Sequence, residues 1–206
     1  MSRGLLELLE EARLVGFLGP GPVGDHVTHA RGFAHAALSA IGQPSTFVDL
    51  GSGGGVPALV LLEMWSETGA VLVESHGRRA DFLGVCIAEL GWSDRVTVEA
   101  QRAEEVARDP DRRERAPLVT ARGFGPPPVT AEIATGFLAV GGVLVVSEPP
   151  DPTPVRWPAQ GLATLGFGEP ERVAAEGAHF VVIPKVGPAP EDRPRPTGRP
   201  AKRPLW

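Results

Sequence analysis

Residues 46–50 (Thr-Phe-Val-Asp-Leu) run directly into glycines at 51, 53, 54 and 55. The first segment is rich in β-branched, aromatic and aliphatic side chains, as a buried strand prefers. The glycines permit positive φ and remove every Cβ that would hold a ligand away from the backbone. Residues 56–65 are apolar enough for a buried helix, with Pro57 in the first turn, where proline is tolerated. Strand, glycine turn and helix in this order point to a doubly wound α/β sheet that binds its ligand beyond the strand's carboxyl end. The spacing is G-x-G-G-G, and Val56 stands where a dinucleotide fingerprint would have its third glycine. No Gly-Lys-Ser/Thr follows, which excludes a P-loop.

The rest of the chain fits that frame. Residues 3–15 alternate leucines with charged residues at helical spacing, and 16–24 form a Gly/Pro connector. Asp25 is placed to cap a helix over 26–41. Further strands are expected at 71–74, 95–99, 118–120 and 143–147. Helices are expected at 78–90, 103–108 and 129–138. The clearest is 78–90, where Phe82, Leu83, Cys86, Ile87 and Leu90 recur at three and four residues and Gly91 stops the run. Gly141-Gly142 reads as a turn and 150–160 as a proline-rich connector. Segments 168–173 and 179–184 read as a closing hairpin. The organisation is an N-terminal helical cap (1–45), an α/β domain (46–185) and a proline-rich tail (186–206). A mostly parallel seven-stranded sheet with an antiparallel terminal strand resembles the class I S-adenosylmethionine-dependent methyltransferase fold, a Rossmann-like layout.

Charge is unevenly spread. The net charge of the 206 residues is −5, from 20 Lys and Arg against 25 Asp and Glu. The last 14 residues hold five of those bases and no acid, which leaves 15 bases against 25 acids, or −10, for the remainder. An acidic body with a basic tail suits local phosphate contact by the tail rather than a general nucleic-acid coat. Cys86 is the single cysteine, so no internal disulfide or cysteine-based metal cluster is possible. No apolar run approaches the ~20 residues that span a bilayer. The N-terminus lacks the basic start and cleavage site of a signal peptide, so the expected location is the cytoplasm.

Three acids suggest the ligand. Glu74 ends the second strand about 20 residues past the glycines, where it can accept both hydroxyls of a ribose. Asp49 directly precedes the glycines; it suits a cationic sulfonium amino acid and would repel a pyrophosphate. Ala103-Glu104 opens the short helix after the third strand, where this fold grips an adenine.

At this point the residues resemble a family. Val-Glu-Ser-His-Gly-Arg-Arg-Ala-Asp-Phe-Leu (73–83) is similar to the second-strand motif of the RsmG (GidB) methyltransferases of small-subunit ribosomal RNA. In register with it stand the glycine loop and proline of 49–57, Gln-Arg-Ala-Glu-Glu (101–105), Val-Thr-Ala-Arg (119–122) and the basic tail of 194–205. The resemblance implies S-adenosylmethionine as cofactor, held around Gly51, Val56, Glu74, Ala103, Glu104 and Arg122, and the reading of the glycine turn adds Asp49 and Gly53 to that set. It implies a guanine N7 in 16S ribosomal RNA, within the 30S subunit, as methyl acceptor; a monomer is expected. The chain departs from the family in two places. Asp25-His26 and His29-Ala30 stand where the family has Arg-His and Asp-Ser, and Ser147-Glu148 replaces a Lys-Gly at the end of the fifth strand. A methyltransferase of a small molecule or peptide, and a non-catalytic S-adenosylmethionine-binding protein, stay open as alternatives.

Guanine N7 has a free lone pair, so no base must remove a proton and no catalytic dyad is expected. An Asn/Asp-Pro-Pro-aromatic motif after the fourth strand would indicate an exocyclic amine acceptor; Ala121-Arg122-Gly123-Phe124 stands there instead. Arg122 is the candidate catalytic residue, with pairing to Glu104 as its structural alternative. His26 and His29, three apart on a helix, are placed to line the substrate mouth rather than to bind a metal, since no carboxylate follows at ligand spacing. Arg199 and Lys202 are candidate RNA contacts, and Phe33 and Phe124 candidate stacking platforms, with core packing as the alternative for each.

Overall fold

The computed structural model describes residues 3–150 and 155–206. Helices α1 (Leu5–Leu14) and α2 (Val23–Ile41) precede a βα alternation: β1 (Thr46–Leu50), α3 (Ala58–Met64), β2 (Gly69–Val73), α4 (Gly77–Glu89), β3 (Val96–Glu99), α5 (Ala103–Val106), β4 (Ala116–Ala121), α6 (Pro127–Phe137), β5 (Leu138–Glu148) and α7 (Ala159–Ala163). The hairpin β6 (Glu171–Ala175) and β7 (Ala178–Pro184) follows, then α8 (Arg199–Lys202). The sheet order is β3-β2-β1-β4-β5-β7-β6. β1 to β5 are mutually parallel and β7 is antiparallel to both neighbours. This is the expected seven-stranded class I methyltransferase layout. The strand order reverses between β1 and β4, and the crevice at their carboxyl ends is where such a sheet takes a ligand.

Period-two alternation along the strands builds two cores, one on each face. Phe47, Leu72, Leu118, Val145 and Val182 face α1 to α4, packing with Leu8, Leu9, Phe33, Leu59, Leu83 and Ile87. Leu50, Val73, Val119, Leu144 and Ile183 face α5 to α7, packing with Val106, Ile133, Phe137 and Leu162. Cys86 is a buried free thiol in the first of these cores.

Several boundaries differ from expectation for local reasons. α2 starts at Val23 with Pro22 in the cap position, so Asp25 lies in the first turn instead of capping it. There its charge still meets the helix dipole favourably. Gly141-Gly142 is not a turn before β5. The strand begins at Leu138, and its register against β4 shifts between the pairs Ala116–Leu138 and Leu118–Val143, so the glycines occupy the irregularity. β6 begins three residues later than expected. Residues 151–154 of the expected connector lie outside the described residues; just beyond them Ala159–Ala163 forms a helix. The basic tail is docked on the α/β domain: Arg195 pairs with Glu132 and Gly198 with Glu104. Among the described residues, no helix is long and apolar enough to cross a membrane.

Candidate functional site

The glycine turn is tied to the neighbouring strand before any ligand is considered. The amides of Gly51 and Ser52 donate to the Val73 carbonyl at 2.9 and 3.2 Å. Gly53 N–H donates to Glu74 Oε2 at 2.9 Å, while Glu74 Oε1 accepts from His76 N–H at 2.8 Å. Glu74 therefore braces the loop as well as facing the crevice. Gly51 has φ +68°, a conformation that excludes most other residues. A Cβ on Gly51 would also lie 2.9 Å from the Phe124 ring.

The 16–22 connector rests on this loop. A Cβ on Gly54 would meet Leu18 Cδ2 at 2.8 Å and the Phe17 carbonyl at 2.9 Å. The Phe17 ring in turn lies within 5.9 Å of the Arg78 guanidinium carbon and 5.8 Å of that of Arg79, at the start of α4.

Beyond the strand ends lies a cavity of about 290 Å³, close to the ~300 Å³ lower end of ordinary ligand clefts. Its walls come from the loop (Gly51), β2 and its end (Val73, Glu74, Ser75), the 101–104 segment and the Gly123–Pro126 turn. Val129 and Ile133 of α6, Arg79 of α4 and Ala201 of α8 complete it. Gly51, Glu74, Ala103 and Glu104 thus converge as the sequence suggested.

Glu104 is 1% exposed. Its Oε1 accepts from Arg102 at 3.2 Å and from the Gly198 amide at 3.0 Å, while Oε2 has no partner. Burial raises its pKa, but the hydrogen bonds from Gly198 N–H, its own amide and Arg102 outweigh that, and the net direction is down. An ionised carboxylate with one free oxygen beside the cavity is an acceptor awaiting a donor, as the exocyclic amine of an adenine would be.

Asp49 lies beneath the loop, 1% exposed and outside the cavity wall. Thr120 Oγ1 donates to its Oδ1 at 2.7 Å, and Oδ2 is unpartnered. Burial pushes its pKa from 3.8 to about 7, against the hydrogen bonds from Thr120 and Ser52. Val56 also stays off the cavity wall; it is buried in the core among the helices of the first face.

Arg122 follows β4 but does not pair with Glu104. Its Nη2 donates to His26 Nδ1 at 2.8 Å. An arginine is always a donor, so Nδ1 accepts and the imidazole proton sits on Nε2, which donates to the Gly19 carbonyl at 3.1 Å. Both ring nitrogens are therefore engaged, which leaves His26 no lone pair for a metal. His26 is 7% exposed and acts from behind Arg122 rather than lining a substrate mouth. His29 is corrected likewise: its ring packs against Phe33 and Phe180 at 5.5 and 5.4 Å. Burial, then the charges of Arg122 and His26, lower its pKa to about 4, so it is neutral at pH 7. Phe33 is fully buried core, whereas Phe124 stands at the cavity. Arg199 and Lys202 are exposed on α8.

The sequence reading missed Val129, Ile133, Arg79 and Ala201 as cavity residues. The first two read only as a helical apolar face, and no local signal brings Ala201 across α6. The acid that stands at 148, where the family has the Gly of its Lys-Gly pair, is neutralised: Glu148 accepts from Trp157 Nε1 at 3.0 Å and lies 3.5 Å from Arg156.

Comparison with known proteins gives a consistent result. The family model described as rRNA small subunit methyltransferase G (GidB) matches residues 34–148. The ribosomal RNA small subunit methyltransferase G of Roseiflexus castenholzii is 38% identical over 175 residues, covering 82% of this chain and 74% of that one. The enzyme of the same name from Rubrobacter xylanophilus is 33% identical and covers 99% and 85%. Among solved structures, an S-adenosylmethionine-dependent O-methyltransferase of Thermotoga maritima superposes with a TM-score of 0.59 at 16% identity, over 89% of this chain and 73% of that one. That last likeness speaks to the fold alone.

Proposed function

The chain belongs to the small-subunit ribosomal RNA methyltransferase G (GidB) family, and from that premise we propose that it methylates N7 of a guanine in 16S ribosomal RNA, on the 30S subunit, as a cytoplasmic monomer. It is an S-adenosylmethionine-dependent methyltransferase. The observation that carries the cofactor reading is the cavity itself, with the bare backbone of Gly51 on one wall and Glu104, one of whose buried oxygens has no partner, on another. Glu74 would hold the ribose hydroxyls, Ala103 and Glu104 the adenine, and the loop around Gly51 and Gly53 the amino-acid end. Asp49 supplies negative charge beneath that loop. When bound, the cofactor supplies an electrophilic methyl group on a positively charged sulfur.

The protein's own task is then alignment. The N7 lone pair is already free, so no side chain has to take a proton, and holding the acceptor in line is worth several orders of magnitude in rate. Phe124 offers a face on which a base can stack. Arg122, held by His26, offers N–H donors for the O6 that shares an edge with N7. Arg199 and Lys202 offer cations to the phosphate backbone. The test is incubation with labelled S-adenosylmethionine and 30S subunits from a strain lacking the native enzyme. Label is expected on one guanine of 16S RNA; unlabelled RNA from a protein that still binds the cofactor would sink the ribosomal assignment.

A further inference from the structure

Residues 190–206 cross the outer face of α6, pass the cavity at Ala201 and finish against α7, and several long-range contacts fasten them there. Arg113 donates to the carbonyls of Pro190 and Arg193 at 3.0 and 2.6 Å. Arg195 makes a two-pronged ion pair with Glu132, at 2.8 and 2.5 Å, and Glu132 is fully buried. Gly136 makes the close approach possible, since a Cβ there would lie 2.7 Å from Pro194 Cδ. Thr197 Oγ1 donates to Glu105 at 2.9 Å and Gly198 N–H to Glu104 at 3.0 Å. At the far end a Cβ on Gly161 would lie 2.5 Å from the Trp206 ring, whose Nε1 donates to the Arg156 carbonyl at 3.2 Å. The segment is a strap fastened at both ends.

Its two sides differ. The inner side puts Ala201 on the cavity wall and engages Oε1 of Glu104, whose other oxygen is free. The outer side carries Arg199, Lys202 and Arg203, all exposed and, among the described residues, in no ion pair. Arg108, Thr197, Arg199 and Lys202 line an open cleft of about 530 Å³. The single acid on its rim, Asp192, is engaged by Arg193.

We propose that the strap couples RNA to cofactor: the phosphodiester backbone docks in the cleft of Arg108, Arg199 and Lys202, and holding the strap down tightens the adjoining cavity on S-adenosylmethionine. The choice of RNA as the docked polyanion rests on the reading above; the cofactor arm does not. A cleft with three unpaired cations suits a chain of phosphates more than a neutral or acidic partner. One carboxylate shared between strap and cavity gives the physical link. By linkage, the cofactor must tighten RNA by the same factor that RNA tightens the cofactor.

The experiment is calorimetry on the full chain with S-adenosylmethionine, alone and with a saturating single-stranded RNA oligonucleotide carrying a 16S sequence. RNA is expected to tighten the cofactor at least threefold, and the converse titration to return the same factor. Arg199→Ala with Lys202→Ala is expected to weaken RNA about tenfold, to lower the salt slope by about 1.4, and to abolish the enhancement. Unfastening the strap is expected to weaken the cofactor alone at least fivefold. Two routes are used: Gly198→Ala, strained by its φ of +75°, and the neutral pair Glu132→Gln with Arg195→Gln, which leaves no buried charge unpaired. Thermal melts separate local release from unfolding. Unchanged cofactor affinity in folded strap variants, or no effect of RNA on the wild type, overturns the proposal. Tripolyphosphate matching the oligonucleotide overturns the RNA-backbone assignment. Unlabelled 30S subunits with the enhancement intact overturn the ribosomal reading and support the strap.

Discussion

Replacing Asp49 by Asn separates what the carboxylate does for binding from what it does to stability. Its folded pKa of about 7 stands above the ordinary 3.8 because it is buried with one oxygen unpartnered. The folded chain therefore holds a proton here that the unfolded chain has already lost, between pH 4 and 7. Stability drawn from this group is full below pH 4 and declines as pH rises through 7. A gap of some three units corresponds to about 4 kcal/mol across that window. In Asp49→Asn the amide oxygen can keep the Thr120 bond, while the NH₂ takes the unpartnered place at a cost of about 1–3 kcal/mol. The variant should thus be less stable than wild type by that amount at pH 4 and more stable by about 1–3 kcal/mol at pH 8. The assay is urea unfolding at pH 4, 5.5 and 8, with the difference between the two proteins taken at each pH. That subtraction removes the opposing slope of His29, whose lowered pKa makes stability rise with pH between about 4 and 6.5. The same variant should bind S-adenosylmethionine at least ~threefold more weakly at pH 8, since the negative charge beneath the loop that attracts the cationic cofactor is lost. A difference that stays within 1 kcal/mol from pH 4 to pH 8 would refute the buried-acid account. Undiminished cofactor affinity would refute the role in binding.

Other outcomes follow from the same geometry. Gly51→Val should remove measurable cofactor binding and lower stability by about 1–2 kcal/mol for the left-handed backbone alone, read by calorimetry and a thermal melt. Glu104→Gln keeps one acceptor oxygen but loses the charge, and should weaken S-adenosylmethionine about tenfold, with tritiated-cofactor filter binding as the check. His26→Ala frees the Arg122 guanidinium; kcat on 30S subunits should fall at least tenfold while cofactor affinity holds, and an equal fall in both would assign His26 to the cofactor side. His29→Leu should raise stability at pH 4 relative to pH 7, because the neutral core no longer resists protonation.

Much of this protein could be read from local pattern, because local pattern reports local physics. The 46–57 segment announced strand, glycine turn and helix, since the positive φ at Gly51 and the apolar run before it are properties of adjacent residues. The period of Phe82, Leu83, Cys86, Ile87 and Leu90 announced α4 for the same reason. Glu74 and Glu104 were legible because strand ends fall at countable distances. The roles of His26 and Glu132 were not legible. A histidine at a helix start suggests a binding mouth until Arg122, 96 residues later, is seen donating to it. Glu132 is a charged residue inside an apolar helical run, and it is fully buried because the 190–206 strap lies over it and Arg195 neutralises it. Sequence alone determined the alternation of strands and helices from β1 to β5, the glycine loop and the acids around it, each set by residues within a turn or two. Tertiary structure alone decided that the basic tail lies along α6 and adds Ala201 to the cavity wall, because that depends on a buried ion pair and on two glycines, 136 and 161, that leave room for a segment far away in the chain.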